Sequence, residues 1–190
     1  VKAAYEAGLV NGVTESTFAP TAALTRETFV TLLYRMAGSP EADVSTLTFT
    51  DVKDANAWYA KAIAWAVSEG VVNGQSETVF GVGSTLTRQD MITMMYRYAQ
   101  KAGLDVSAKG DLSTFKDADK VATYATEAMT WAVGAEITKG ADGALSPAAT
   151  SNRAQGAAML LRLSALKPAE TTETTETTTE VTETTTEAAA

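Results

Sequence analysis

The feature that most constrains this chain is an internal repeat with a period of about 62 to 66 residues. At an offset of 62, three segments recur: Leu24-Thr25-Arg26 as Leu86-Thr87-Arg88, Asn11-Gly12 as Asn73-Gly74, and Tyr34-Arg35 as Tyr96-Arg97. Chance does not keep so many positions in register, so the chain is built from copies of one structural unit that pack on each other.

A third copy is weaker but stays in register with the second. At offsets of 65 or 66, four features recur: Arg88 as Arg153, Phe49-Thr50-Asp51-Val52 as Phe115-Lys116-Asp117-Ala118, Trp58 as Tyr124, and Trp65 as Trp131. Copy one has no Phe-x-Asp segment of this kind. The repeat therefore has a shared pattern with local departures in copies one and three.

Each copy is predicted to form a helix, a loop and a second helix. Ala60, Ile63, Ala64 and Val67 follow the i, i+3, i+4, i+7 spacing of an amphipathic helix. The predicted first helices cover 1–8, 56–69 and 122–134, and the predicted second helices cover 26–37, 88–101 and 153–166. The methionines of the second helices, and Trp65 and Trp131 in the first, are interpreted as core residues.

One such hairpin cannot bury its own apolar stripe, so the three are expected to share a core. The predicted fold class is all-α, with three helix-loop-helix repeats packed as a pseudo-threefold helical bundle and a disordered C-terminal tail. The predicted units are 1–40 (an N-terminally truncated repeat), 49–103, 115–166, and a Thr/Glu-rich linker at 167–190. The linker is predicted to be disordered because it is rich in Thr and Glu and has no aromatic residue or periodicity.

The charge and composition exclude several classes of function. The net charge is −8, but six of the 23 acidic residues follow Lys167, so 17 acidic residues face 15 basic ones before the tail. A nearly neutral folded part disfavours nucleic-acid binding. The chain has no Cys or His, which excludes thiolate nucleophiles, disulfides, ordinary zinc sites and Ser-His-Asp triads. No apolar run is long enough for membrane insertion.

An arginine recurs at the start of every second helix, at Arg26, Arg88 and Arg153. Thr25, Thr87 and Asn152 precede them as predicted N-caps. A cation opposes the helix dipole at this end, so its repeated presence needs a reason. One reason is an anion site in which the guanidinium and free helix amides bind a carboxylate or phosphate. The other is a salt bridge to a neighbouring repeat, for instance to Asp51 or Asp117, and the residues leave both open.

The aromatic and acidic residues complete the candidate set. Trp58 and Tyr124 lie near the start of the predicted first helices, where ring stacking on a sugar and ordinary packing both remain open. Asp51, Asp54, Asp117 and Asp119 contain no calcium-loop spacing, and their recurrence favours a structural role such as helix capping over paired-carboxylate catalysis. The chain is therefore expected to be a binding protein without catalytic residues, metal sites or cofactors.

The motifs resemble the S-layer homology domain, a module that occurs in threes in bacterial surface proteins. Its pattern is F-x-D-V, W-A-x-x-A-I, G-I-x-x-G, F-x-P and T-R-A-E. Copy two matches with Phe49-Thr50-Asp51-Val52, Trp58 to Ile63, Gly70 to Gly74 and Thr87-Arg88-Gln89-Asp90, and copy one with Phe18-Ala19-Pro20 and Thr25-Arg26-Glu27. Copy three keeps Arg153 but lacks the acid of T-R-A-E.

The resemblance implies grooves between repeats that hold secondary cell-wall polymers, often with a pyruvate ketal on an amino sugar. It implies that Arg26, Arg88 and Arg153 contact the anionic group, and that Asp51, Asp117, Trp58 and Tyr124 line or shape the grooves. At least one groove is expected to be incomplete because of the departures in copies one and three.

The expected function is therefore non-covalent anchoring of a surface protein in the bacterial cell wall, through an anionic polysaccharide or peptidoglycan-linked polymer. The expected location is extracellular, in the cell wall or S-layer, with other surface-layer subunits as further candidate partners. The alternative is a helical protein-interaction or self-assembly module that uses the arginines in salt bridges. A surface hydrolase fragment is a third hypothesis, which would require a carboxylate pair in a cleft.

Overall fold

The computed structural model describes residues 1–14 and 16–170. Within these ranges the regular structure is helical, with isolated β-bridges but no strands, which confirms the all-α prediction. Most of the predicted linker lies outside the described residues. Its described beginning is bonded to the folded part: the Asp105 N–H donates to the Lys167 carbonyl at 2.9 Å, and the Ala169 N–H donates to the Gly103 carbonyl at 2.8 Å.

Six α-helices occur in the described ranges, two for each repeat. They are α1 (Lys2–Glu6), α2 (Arg26–Met36), α3 (Ala60–Ser68), α4 (Arg88–Lys101), α5 (Thr126–Gly134) and α6 (Arg153–Leu163). Short 3₁₀ turns lie between them at Val44–Thr46, Leu112–Thr114, Ala118–Lys120 and Thr123–Ala125. The order of helix, loop and helix in each repeat therefore agrees with the sequence pattern.

The second helix of each repeat starts at its arginine, as predicted. The Thr87 hydroxyl accepts the Asp90 N–H, and Asn152 forms a capping box with Gln155. Thr25 is the N-cap residue of α2 as predicted, but its side chain accepts no backbone N–H. Its hydroxyl donates to Glu27 Oε1 at 2.7 Å and forms a second hydrogen bond, also of 2.7 Å, with the Thr28 hydroxyl.

The first helices are shorter than predicted because turns precede them. In the second repeat, the Asp54 side chain accepts the Asn56 N–H at 2.8 Å, and α3 begins only at Ala60. The helices end in the left-handed conformation, at Gly8 with φ of 70° and Gly70 with φ of 69°. Glu136 takes the same conformation with φ of 57°, so copy three keeps the turn without the glycine.

The core is shared by the helices of all three repeats. Trp131 is fully buried and Trp65 is 7% exposed, which confirms their interpretation as core residues. The methionines of α4 and α6 are also buried: Met91, Met94, Met95 and Met159. Unbranched, flexible Met side chains are suited to filling irregular gaps in such a core.

Three buried backbone segments join the repeats at their common centre. The Leu24 N–H donates to the Ser151 carbonyl, the Ser151 N–H to the Leu86 carbonyl, and the Leu86 N–H to the Leu24 carbonyl, each at 2.9 Å. These residues occupy equivalent positions just before α2, α4 and α6. Each second helix thus starts from a point bonded to the other two repeats, although exact threefold symmetry remains a prediction.

Candidate functional site: two grooves between repeats

Arg153, the first residue of α6, reaches into the first repeat. Its Nε–H donates to the Phe18 carbonyl at 2.9 Å, and its Nη2 donates to the Asn11 carbonyl at 2.8 Å. The guanidinium lies over the Phe18 ring, with Cζ 4.7 Å from the ring centroid. Because five N–H groups are available on a guanidinium, these two bonds leave further donors for a ligand.

Arg26, the first residue of α2, reaches into the second repeat in the same way. Its Nε–H donates to the Phe80 carbonyl at 2.9 Å, and its Nη2 donates to the Asn73 carbonyl. Its Cζ lies 5.0 Å from the Phe80 ring centroid. Two repeats thus hold an arginine from another copy on an equivalent aromatic ring and at equivalent pairs of carbonyls.

Arg88, the first residue of α4, is held differently in the third repeat. Its Nη2 donates to the Thr138 hydroxyl at 2.9 Å, and its buried Nε has no hydrogen-bond partner within the described residues. Leu145 stands where the other two loops have phenylalanine, so no ring lies under this guanidinium. Burial lowers the pKa of Arg88, and the positive charge of Arg162 lowers it further.

The first amide of each second helix is not free to bind an anion, although the anion site itself stays a prediction. Each first amide donates to a loop carbonyl of another repeat: Arg26 to Ser84 (3.0 Å), Arg88 to Ala149 (2.9 Å) and Arg153 to Ala22 (3.0 Å). The helix ends are buried between repeats, where an unpaired N–H is costly, and the neighbouring loop supplies the acceptor. The salt-bridge alternative is also absent, since none of these arginines forms an ion pair in the described part of the chain.

The first candidate site, the Trp58 groove, has a volume of about 420 Å³. It is lined by Asn11, Gly12, Val13, Thr28, Thr31, Leu32, Arg35, Trp58 and Arg153. All three repeats contribute to it: Arg153 from the third, Arg35 on α2 of the first, and Trp58 from the second. Trp58 is 62% exposed, which is unusual for so large an apolar ring.

The second candidate site, the Tyr124 groove, has a volume of about 370 Å³ and is lined by equivalent positions one repeat further on. It is lined by Arg26, Val72, Asn73, Gly74, Gln75, Asp90, Thr93, Met94, Arg97 and Tyr124. The exposed Tyr124 ring takes the place of Trp58, and Arg97 takes the place of Arg35. The repeat offsets therefore carry one groove onto the other.

Asp90 gives the Tyr124 groove a carboxylate that its counterpart lacks. Its Oδ1 accepts the Tyr124 hydroxyl at 2.6 Å, and its Oδ2 accepts the Thr87 hydroxyl at 2.5 Å. Burial and the bond to Asp90 raise the pKa of Tyr124 to about 12, so the phenol stays protonated and donates. Thr28 occupies the equivalent position in the Trp58 groove.

Arg35 and Arg97 were missed as candidate residues from the sequence. The Asn11 side-chain oxygen accepts from Arg35 Nη1 at 3.2 Å in the amide orientation that satisfies its neighbours. Arg97 forms no salt bridge among the described residues and lies with Arg26 in one groove. The sequence did contain a signal for them, because Arg35 and Arg97 are related by the same offset of 62 that relates Arg26 to Arg88.

Asp51 fixes a loop and does not line either groove. Its carboxylate accepts three backbone N–H groups, from Phe80 (2.8 Å), Gly81 (2.7 Å) and Val82 (2.8 Å). Burial alone would raise the pKa of Asp51, but these three donors outweigh it and hold the pKa below its ordinary value. The Phe80 carbonyl and ring contact Arg26. By fixing the loop that contains Phe80, Asp51 therefore stabilises the Tyr124 groove indirectly.

Asp117 has the equivalent position in the third repeat. It accepts the N–H groups of Leu145 and Ser146, each at 2.7 Å, and Pro147 has no N–H for a third bond. Burial opposes the charged form of Asp117, yet these bonds hold its pKa below the ordinary value. Direct contact of Asp51 or Asp117 with a ligand stays a prediction, as does a ligand role for Arg88.

Two further properties concern the described residues as a whole. Within 1–14 and 16–170, no three His, Cys, Asp or Glu side chains converge in a way that could hold a metal ion. None of the helices in these ranges has the length and apolar character needed to span a membrane. The candidate site consists of its arginines, its aromatic rings and the loops that contact them.

The sequence profile of the S-layer homology domain matches residues 1–30, 48–92 and 114–155. These three segments make up more than half of the chain and fall in the three repeats. The chain therefore belongs to the S-layer homology domain family, as the motifs suggested.

Relatives of this chain include surface proteins and carbohydrate-active enzymes. It is 31% identical to the surface-layer 125 kDa protein of Lysinibacillus sphaericus over 75% of this chain and 11% of that protein. It is 29% identical to an endoglucanase of Bacillus sp. (strain KSM-635) over 86% of this chain and 17% of that protein. A cell surface protein of Thermoanaerobacter kivui is 41% identical over 38% of this chain and 9% of that protein.

The chain thus spans less than a fifth of the length of each of these relatives. Taken with the family, the surface-layer and cell surface relatives indicate a cell-surface location for it.

Proposed function

We propose that this chain anchors a surface protein non-covalently to the cell wall by binding an anionic secondary cell-wall polysaccharide in the Trp58 and Tyr124 grooves. One observation carries the proposal: each groove joins two arginines and one exposed aromatic ring, drawn from all three repeats. A ligand that fills such a groove contacts the whole module, so binding and the packing of the repeats support each other.

The arginines supply the affinity for a negative charge. In the Trp58 groove, Arg153 is oriented by the Phe18 and Asn11 carbonyls of the first repeat. Arg35, also from the first repeat, lines the same groove. A carboxylate on a sugar, such as a pyruvate ketal, accepts the remaining guanidinium N–H groups in charge-assisted hydrogen bonds. Orientation by carbonyls that carry no full charge leaves the positive charge of the arginine available to the ligand.

The aromatic rings supply an apolar surface beside the cations. Trp58 is 62% exposed and Tyr124 is 58% exposed, although their repeats bury Trp65 and Trp131. A sugar has an apolar face of C–H groups and a polar edge, so it can pack on the ring while its acid group reaches the arginines. This combination favours a carbohydrate over a simple inorganic anion.

The proposed role is binding without catalysis. The enzyme relatives match this chain over a small part of their length, 17% for the endoglucanase, which fits a separate anchoring module. The Thr/Glu-rich residues from 167 onwards would then join the anchor to the rest of a surface protein as a spacer. This assignment includes no cofactor and no metal ion.

The proposal is tested by co-sedimentation of the chain with purified cell-wall sacculi, before and after the accessory polymer is chemically stripped. The informative variant is Arg35→Gln/Arg97→Gln, because these side chains do not hold a neighbouring loop as Arg26 and Arg153 do. The matched control is Lys61→Gln/Lys120→Gln, which removes the same charge outside both grooves. Helicity and the melting temperature are measured for every variant.

We expect the wild type and the lysine control to pellet with intact sacculi, and the arginine variant to lose at least tenfold in affinity. Loss of pelleting after stripping assigns the polymer as ligand. Equal pelleting by the folded arginine variant would rule out the groove mechanism. If the wild type does not pellet with walls from several Gram-positive sources, the protein-interaction module becomes the better hypothesis.

A further inference from the structure

A second pocket, the Glu127 pocket, adjoins the Tyr124 groove and has a volume of about 210 Å³. The two spaces share Arg97 and Tyr124 in their walls, so a ligand that fills the groove can continue into the pocket. Three further side chains give the pocket its chemistry: Tyr96 and Gln100 on α4, and Glu127 on α5. The groove therefore has a polar extension that is built from the second and third repeats.

The Glu127 carboxylate is held in position by a buried tyrosine. Tyr96 is 7% exposed, its ring packs on the Trp131 ring with centroids 5.3 Å apart, and its hydroxyl donates to Glu127 Oε1 at 2.8 Å. Burial, and then the bond to Glu127, raise the pKa of Tyr96, so the phenol stays protonated and donates at neutral pH. Within residues 1–14 and 16–170, Glu127 Oε2 makes no hydrogen bond and no ion pair. One carboxylate oxygen thus remains for a ligand.

Arg97 lines the pocket together with Glu127, but the two side chains form no ion pair in the described part of the chain. A hydroxyl or an amide group can donate to a carboxylate and accept from a guanidinium at the same time. An ammonium group would be repelled by Arg97, and a second carboxylate would be repelled by Glu127. The pocket therefore suits an uncharged ligand group that has both donors and acceptors.

The Trp58 groove has no glutamate at the equivalent position. At the repeat offsets, Lys61 replaces Glu127 and Gly38 replaces Gln100. The Lys61 Nζ lies 3.3 Å from Glu41 Oε2, so its charge is already paired. The two grooves thus share their arginines and aromatic rings, but the residues beside them differ. Lys61 and Gly38 provide neither the free carboxylate oxygen nor the side-chain amide that a neutral group would bind.

We propose that the Glu127 pocket binds an uncharged sugar residue that neighbours the acid-bearing residue in the Tyr124 groove. The inference rests on the function proposed above and extends it, because the two grooves then recognise different lengths of the polymer. A hydroxyl or N-acetyl group of the neutral sugar donates to Glu127 Oε2 and accepts from Arg97, and the Gln100 amide supplies a further donor and acceptor. The Tyr124 groove thus contacts two consecutive residues of the polymer, whereas the Trp58 groove gains little from the second.

The test is calorimetry with fragments of the purified accessory wall polymer that keep their acid group. The acid-bearing monosaccharide is compared with the fragment that has one further, neutral residue. The whole chain is used in two backgrounds: Arg35→Gln weakens the Trp58 groove so that the Tyr124 groove is measured, and Arg97→Gln does the reverse. In each background, the quantity of interest is the ratio of the two dissociation constants.

We expect the Tyr124 groove to bind the longer fragment about tenfold more tightly than the monosaccharide, and the Trp58 groove to gain no more than about twofold. In the Arg35→Gln background, Glu127→Ala should abolish the tenfold gain. The matched control is Glu6→Ala, which removes an exposed carboxylate on α1 that lines neither groove nor the pocket and should keep the gain. Glu127 is itself exposed, and the melting temperature of every variant is measured to verify folding.

An equal gain in both grooves would overturn the proposal, and so would a gain that survives Glu127→Ala. Binding of the monosaccharide to the Tyr124 groove with no gain for the longer fragment would reject the Glu127 pocket alone and leave the anchoring function in place. If neither fragment binds in either background or to the wild type, the anchoring function has failed, and the inference fails with it.

Discussion

The Trp58 and Tyr124 grooves have one scaffold and two different charges. Both combine an arginine from one repeat, an arginine on the second helix of the next repeat, and an aromatic ring from the repeat after that. The Tyr124 groove also contains Asp90, whereas the Trp58 groove has Thr28 at that position. Repetition thus preserves the shape of a site while a single position within it changes the net charge that a ligand meets.

The grooves also differ in how their loops are held. Asp51 accepts three N–H groups of the loop that contacts Arg26, so a carboxylate clamp fixes this side of the Tyr124 groove. The loop that contains Phe18 and contacts Arg153 has no such carboxylate among the described residues. Among the described residues, the Tyr124 groove is therefore the less positive one and has a carboxylate clamp, and the Trp58 groove is the more positive one.

The largest effect is expected from Asp51→Ala, which removes the clamp from one groove only. Three loop N–H groups lose their acceptor, and at partly buried positions this should lower the free energy of unfolding by about 3 kcal/mol. Urea unfolding measures the loss, with Asp54→Ala as the control, since Asp54 accepts only the exposed Asn56 N–H from the backbone. Ligand binding in the Tyr124 groove should weaken, and the Trp58 groove should keep its affinity.

The lowered pKa of Asp51 determines how the stability difference between wild type and Asp51→Ala changes with pH. The pKa of Asp51 is lowered in the folded state, so its stabilisation is present above the ordinary carboxyl pKa and is lost as the pH falls through the lowered value. The gap between wild type and Asp51→Ala should therefore be constant near neutral pH and close in strong acid. A gap that stays unchanged at pH 2 would contradict the carboxylate role.

A reciprocal exchange, Asp90→Thr and Thr28→Asp, tests the charge difference with an intermediate effect. Removing the carboxylate should strengthen anion binding in the Tyr124 groove about fivefold, and adding one should weaken the Trp58 groove by a similar factor, since one exposed charge contributes about 1 kcal/mol at 4 Å. Calorimetry with a purified anionic wall oligosaccharide measures both changes. Both should shrink at high salt, and changes that are independent of salt would point to shape rather than charge.

The sequence could predict the position of the arginines but not their partners. The repeat offset placed Arg26, Arg88 and Arg153 at the starts of α2, α4 and α6, which the structure confirms. Their acceptors, such as the Asn11 and Phe18 carbonyls for Arg153, lie 142 and 135 residues away in the chain. A backbone carbonyl has no signature in the sequence, so contacts that form only when repeats meet could not be derived from a repeat taken alone.

Local patterns also failed to identify the hydrogen-bond partners of polar side chains. Thr25 has the side chain of an N-cap, but its hydroxyl donates to Glu27. The recurrence of Asp51 and Asp117 predicted a structural role such as capping the first helix, yet they bind loops 28 to 31 residues later in the chain. In both cases the residue type indicated a hydrogen-bonding role, and the tertiary structure selected the partner.

The smallest effect is expected from Tyr124→Phe, which removes the hydrogen bond to Asp90 that distinguishes the Tyr124 groove and keeps the aromatic ring. The Tyr124 hydroxyl donates to Asp90, and its loss should lower the free energy of unfolding by no more than about 1 kcal/mol at pH 8. Because the pKa of Tyr124 is raised to about 12, the contribution of its neutral phenol is complete below pH 10, the ordinary tyrosine pKa, and disappears as the pH rises towards 12. The stability difference between the variant and wild type should therefore narrow across this range. In an absorbance titration, the variant should lack the one tyrosine that ionises near pH 12 in the wild type.

Trp58→Phe, which has no titrating hydroxyl, is the matched control in the other groove, and its difference in stability from wild type should not change over the same pH interval. A Tyr124→Phe difference that behaves in the same way would show that Asp90 gains nothing from the phenol, and that the two grooves differ by the carboxylate alone.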